Sequence, residues 1–204
     1  MPRRCDSVPA DAGAGAAPRS PPVARDCATK PPAGGFVGGD DMGRTDWMCK
    51  DDCKVLLRLL TPANALAMEV AFSTGLRIGD VLALRTEQLA PRMSVRESKT
   101  GKRKRVYLGA SLLERLRAQA GAVWVFPGAL DPVGKHRTRQ AVWKDVRRAA
   151  KAMRVPGVIG CHTARKVYAV DIYRKRGLSA AQAALGHDSP TVTLLYLASE
   201  LVRG

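Results

Sequence analysis

Four stretches of the chain hold side chains suited to work on a phosphodiester. They are Thr74-Gly75-Leu76-Arg77, His162-Thr163-Ala164-Arg165, Leu185-Gly186-His187 and Tyr196. Phosphoryl transfer concentrates negative charge on the equatorial oxygens, and a guanidinium stays charged while donating two parallel hydrogen bonds to them. Arg77 and Arg165 are the candidates for that task. His162, three residues before Arg165, would project from the same helical face. His187 follows a glycine at a helix junction, where its ring can donate to a phosphate oxygen. Tyr196 is the candidate nucleophile, since an arginine-held phosphate and a nearby histidine are what a phenol needs in order to attack. Tyr107, Tyr168 and Tyr173 lack such company in the sequence.

Taken singly, each residue has a plainer explanation. An arginine among 34 basic residues is usually a solvated one, a histidine after glycine often caps a helix, and a lone tyrosine usually packs. Only the ensemble, in this order, points to DNA strand transfer.

The elements that position these groups follow from local signals. An apolar stripe of Val55, Leu56, Leu59 and Leu60 predicts a first helix after Trp47. Thr61-Pro62 reads as a cap with proline at the first helical position, and Gly75 as that helix's stop, with Arg77 just beyond. Val81, Leu82 and Leu84 belong to a further short helix. Met93–Glu97 and Arg103–Leu108 read as two strands joined by Ser98-Lys99-Thr100-Gly101-Lys102, with glycine available for positive φ.

That turn places Lys99 on a protruding tip, where it can protonate a departing sugar oxygen; Lys102 is next in line, and Lys102 to Arg105 read as a phosphate-binding strand. Ser111-Leu112-Leu113-Glu114 has a capping-box pattern, and Thr138 caps a helix whose face is Val142, Val146, Ala149 and Met153. A helix from about Thr163 should stop at Gly177, a short one should run from Ser179 to Gly186, and Ser189-Pro190 should open the helix that carries Tyr196. The fold class is mainly α with a small antiparallel β-sheet.

Composition agrees with a polyanion partner. The net charge is +16, and residues 51–204 hold 27 basic against 12 acidic side chains. A positive domain gathers nucleic acid by Coulomb attraction and counterion release. Hydrophobic content of 46% fills one core. Residues 1–45, rich in Pro, Gly and Ala, bury too little to offset their conformational entropy and are expected to be a disordered tail, leaving 46–204 as the folded domain. No apolar run approaches the ~20 residues of a membrane span and no hydrophobic signal core is visible, so a cytoplasmic, DNA-associated protein is expected. Five scattered cysteines argue against a secreted disulfide scaffold. Cys49-x-x-x-Cys53 supplies half of a zinc site with no second pair to complete it, so no metal is expected.

The stretch Thr74-Gly75-Leu76-Arg77-Ile78-Gly79-Asp80-Val81-Leu82-Ala83-Leu84 resembles the first arginine box of the tyrosine recombinases, or phage integrase family. Glu97-Ser98-Lys99-Thr100-Gly101 is similar to that family's catalytic-lysine turn, His162-Thr163-Ala164-Arg165 to its His-x-x-Arg box, and Leu185-Gly186-His187 with Tyr196 to its terminal signature.

The resemblance runs from about Trp47 to Leu197. It implies the family's catalytic-domain fold and a cut without metal or cofactor, in which Tyr196 forms a 3′-phosphotyrosine and releases a 5′-hydroxyl. Arg77 and Arg165 would hold the phosphate, His162 and His187 would assist with protons and oxygens, Lys99 would be the general acid, and Asp80 would brace the site. The implied partners are double-stranded DNA, further copies of the chain in a tetramer on DNA, and an accessory DNA-binding protein, because no helical core-binding domain is legible before Trp47. A type IB topoisomerase-like nicking and closing enzyme and a non-cutting DNA-binding regulator derived from a recombinase are the competing expectations.

Overall fold

The computed structural model describes residues 45–187 and 189–201, with the side chains of 195, 196 and 198–201 outside the description. Seven helices and one two-stranded sheet make up these residues: α1 (Lys50–Leu59), α2 (Pro62–Thr74), α3 (Ile78–Leu82), β1 (Arg92–Arg96), β2 (Arg103–Tyr107), α4 (Ala110–Gln119), α5 (Arg139–Ala152), α6 (Cys161–Leu185) and α7 (Pro190–Leu201), with a 3₁₀ turn at Thr86–Gln88. The expected class, mainly helical with a small antiparallel sheet, is the one observed. The tail expected over residues 1–45 lies outside the described residues except for Thr45, which is buried.

Packing decides which sequence signals win. On α1 the buried residues are Cys53 and Leu56, continued by Leu60 past its end, whereas Val55 and Leu59 of the expected stripe are exposed. Residues 53, 56 and 60 share a face at three- and four-residue spacing, and 55 and 59 fall on its solvent side. The Ser111 capping box is not used. Gly109 is the cap and α4 starts at Ala110, two residues earlier than expected, because Leu108 is already buried and bonded to Pro91 O. Thr138 does cap α5, its Oγ1 accepting from Ala141 N at 3.2 Å. Gly177 breaks the helical path with φ 80 and ψ −178, so α6 is two helices meeting at a kink, the second ending at Gly186, as expected.

Thr61 precedes Pro62 as expected, yet its hydroxyl does not cap α2; it donates to Asp145 Oδ2 at 2.9 Å. The same carboxylate oxygen accepts from Thr61 N and Asn64 Nδ2, each at 2.8 Å, and Oδ1 pairs with Arg148 at 2.6 Å. Burial pushes the Asp145 carboxyl pKa up, but these donors outweigh it and bring it from 3.8 to about 2. Asp145 therefore locks α5 to the α1–α2 junction. The main core runs from Met48 to Val167, through α1 to α5, the sheet and the start of α6. A second, smaller core joins Ala169, Val170, Leu185 and Leu197, with Trp47 and Tyr168 packed against it. Thr193 and Leu197, both fully buried and four apart, seat α7 on α6 and fix where the backbone of Tyr196 runs.

Candidate active site

Helix α2 ends in a left-handed Gly75, φ 65, whose N–H closes on Ala71 O at 2.9 Å. A side chain there would collide with Tyr168, whose Cδ1 lies 2.2 Å from the position a Cβ would take. The sharp exit lets Arg77 cap α3 two residues later with extended backbone. Beside it the β1–β2 hairpin turns through Gly101, φ 67, and puts Lys99 on its exposed tip. Asp80 ties the two together, its Oδ1 accepting from Ser98 N at 2.9 Å while the side chain is only 4% exposed. This bond links the arginine box to the lysine turn.

The turn at Gly186, φ 65, ends α6 and leads to His187, whose Nδ1 lies 3.1 Å from the hydroxyl of Thr193 on α7. Gln182 steadies the same turn, accepting from His187 N and donating to His187 O, both at 3.2 Å.

These pieces enclose one open cleft of about 740 Å³, lined by Arg77, Gly79, Lys99, Arg139, His162 and His187 among others. Four of the six expected site residues thus meet on its walls, from the α2–α3 turn, the hairpin, α6 and the α6–α7 turn. Tyr196 is on α7, which follows the His187 turn; its side chain is outside the description.

Arg165 is placed differently. Its side chain is 1% exposed and does not line the cleft, whereas His162, three residues before it, is exposed on the cleft wall. Nη1 donates to Gly75 O at 2.6 Å and Nη2 to Leu185 O at 2.5 Å, which joins the carboxyl ends of α2 and α6. Nη1 also lies 3.3 Å from Glu97 Oε1. The other oxygen of Glu97 pairs with Arg77 Nη1 at 2.7 Å and accepts from Thr100 Oγ1 at 2.9 Å. A single buried carboxylate therefore joins both arginines to the hairpin. Burial pushes the Glu97 pKa up, but the Arg77 and Thr100 hydrogen bonds and the two positive charges bring it below the ordinary value.

Lys104 departs from the expected strand of phosphate-binding cations. Strand alternation turns it inward, where Nζ donates to Thr74 O at 2.7 Å and lies 4.9 Å from the Tyr168 ring centre. Burial, and then the charge of Arg165, lowers its pKa to about 8. Lys102, Arg103 and Arg105 remain exposed. His162 opens on the cleft, yet surrounding protein atoms and the charges of Arg165, Arg77, Arg139 and Lys99 lower its pKa below 6.5. The shift favours the neutral ring, which can accept a proton.

Sequence reasoning missed the parts played by Glu97 and Arg139. Arg139 opens α5 with its stem over Gly79, Cδ 3.3 Å from where a glycine Cβ would be. The absent side chain at Gly79 is the one signal that hinted at such an approach. The proposed cysteine half-site is built into α1 instead: Cys49 Sγ, as the cap, accepts from Asp52 N at 3.5 Å, and burial raises the Cys53 thiol to about 12. Among the described residues, no helix is long and apolar enough to cross a membrane.

A mainly helical domain with one hairpin, carrying two coupled arginines and an open cationic cleft, has the architecture of a tyrosine recombinase catalytic domain. The family model for the phage integrase family matches residues 47–201, and the chain belongs to that family. Its fold is similar to that of the site-specific recombinase XerH in a post-cleavage complex with a palindromic difH substrate, with a TM-score of 0.63 at 21% identity over 77% of this chain and 50% of that one. It is also similar to a lambda integrase tetramer bound to a Holliday junction, with a TM-score of 0.62 at 21% identity over 74% of this chain and 47% of that one. The catalytic domain of bacteriophage HP1 integrase matches with a TM-score of 0.59 at 18% identity, over 76% of this chain and 89% of that one. The chain thus spans about half the length of the first two and most of the third. No curated protein matches it in sequence.

Proposed function

We propose that this chain is a site-specific DNA recombinase that breaks and rejoins strands through a 3′-phosphotyrosine. The observation that carries the proposal is the meeting of Arg77, Lys99, His162 and His187 around one cleft, with Arg165 joined to Arg77 through Glu97. In the proposed step the phenolic oxygen of Tyr196 attacks the scissile phosphorus as the bond to the 5′ oxygen breaks. One phosphoester replaces another, so the exchange needs no external energy source. Neutral His162 takes the phenol proton, His187 donates to a non-bridging oxygen, and Lys99 protonates the leaving 5′ oxygen. Arg77 contacts the phosphate, while Arg165 adds positive charge from a buried position, where a low dielectric strengthens its field.

The proposed partners are double-stranded DNA, three further copies of the chain on it, and an accessory DNA-binding protein. An electrostatic grip by this domain alone would position DNA without reading its bases.

The test is a nicked suicide duplex carrying the cognate junction, incubated in excess chelator. Covalent attachment to the 3′ phosphate supports the proposal, and joining of two sites supports recombination. Relaxation of supercoils without joining would point to a topoisomerase-like enzyme. Specific binding without attachment would point to a regulator that no longer cuts.

A further inference from the structure

We propose that Glu97 is a positioning residue: its one carboxylate sets the two arginines relative to each other and to the lysine hairpin. This deepens the recombinase reading and rests on it. Glu97 is 3% exposed and directly follows β1, two residues before Lys99. Its Oε2 meets Arg77 and Thr100, its Oε1 faces Arg165, and its backbone N–H bonds to Lys102 O at 2.9 Å. Two guanidinium groups brought close under one phosphate repel each other, and a carboxylate between them removes that repulsion while holding both planes. The cost is a negative charge beneath the place where an anion binds. Arg165 and Lys104, which faces the same cluster from β2, supply positive charge to offset it.

This arrangement predicts an unusual pair of effects. Glu97→Gln keeps the shape, but its amide nitrogen is a donor and opposes one of the arginines. Chemistry should suffer from lost alignment while DNA affinity does not, because the negative charge is gone. On the nicked duplex, single-turnover cleavage should fall at least about tenfold, less than the ~10²–10³ typical of deleting a direct donor, with the dissociation constant unchanged or lowered. Glu97→Asp keeps the charge but reaches only one arginine, so its rate should lie between those of parent and Glu97→Gln, with no gain in affinity.

A parallel measurement needs no cleavage: nitrogen-15 NMR of the arginine side chains in the free full chain. The parent should give sharp, slowly exchanging guanidinium signals for Arg165, and these should broaden in Glu97→Gln. Cleavage within twofold of parent, unchanged guanidinium signals, or equal losses of affinity and rate alongside a collapsed melting temperature would each overturn the proposal. Absence of any adduct with the parent protein would instead count against the recombinase reading, and the NMR comparison would still decide the role of Glu97.

Discussion

Gly75 offers a prediction whose size follows from the structure. Replacing it by alanine imposes two separate costs. The left-handed backbone, φ 65, disfavours any residue with a Cβ by roughly 1–2 kcal/mol. The added methyl would also fall 2.2 Å from Tyr168 Cδ1 and 2.6 Å from Cε1, so the ring must move, and forced overpacking typically costs about 1–3 kcal/mol. The sum is about 2–5 kcal/mol, or a melting-temperature loss on the order of 10 °C for a domain of this size.

Gly186 is the internal control, because it has the same φ of 65 and, among the described residues, no atom lies within 4 Å of where a Cβ would be. Gly186→Ala should therefore lose only the backbone share. In a Tyr168→Ala background, which removes the ring, Gly75→Ala should also fall to that smaller cost. Urea denaturation of the parent, the two single glycine variants, Tyr168→Ala and the double variant, read by far-ultraviolet circular dichroism, measures each cost. Equal losses at the two glycines, or a Gly75 loss that persists without the ring, would refute the reasoning. Because Gly75 O holds Arg165 and Gly75 lies two residues before Arg77, cleavage by Gly75→Ala should fall further than stability alone explains.

Three other perturbations test separate parts of the account. Lys99→Ala should lose cleavage of ordinary DNA but be largely rescued by a substrate with sulfur at the bridging 5′ position, which departs without a proton; equal loss on both substrates would remove Lys99 as the acid. Asp145 has a folded pKa of about 2 against an ordinary 3.8, so its stabilisation is present above pH 3.8 and is lost as pH falls through about 2. Asp145→Asn should cost about 3 kcal/mol at pH 7 and flatten that acid slope in urea denaturation, and an unchanged slope would show that the α5 lock is unimportant. Arg139→Gln should lower the salt dependence of DNA binding by about one unit of slope; an unaltered slope would place its charge away from the phosphates.

What could be read from the sequence was whatever depends on near neighbours. Gly75 and Gly186 end their helices and Gly101 takes the positive φ expected of it, and Thr138 caps its helix, because these outcomes are set within a few residues. The family resemblance placed the arginine box, the lysine turn and the histidine boxes in order, and four of those residues line one cleft. The misreadings arose where tertiary contacts decide. Ser111 has a good cap pattern but lost to Gly109 once Leu108 was drawn into the core, and Val55 is apolar yet exposed because α1 buries a different face. The burial of Arg165, the inward turn of Lys104 and the bridging by Glu97 depend on contacts up to 90 residues apart in the chain, and no local pattern encodes them.

The most direct test of the central claim is to trap the protein on a nicked cognate duplex in excess chelator, digest it, and map the nucleotide-bearing peptide by mass spectrometry. The account predicts a 3′-phosphate ester on Tyr196, and no adduct from Tyr196→Phe although that variant folds and binds DNA. An adduct on Tyr107, Tyr168 or Tyr173, or attachment that persists in Tyr196→Phe or requires added magnesium, would contradict it.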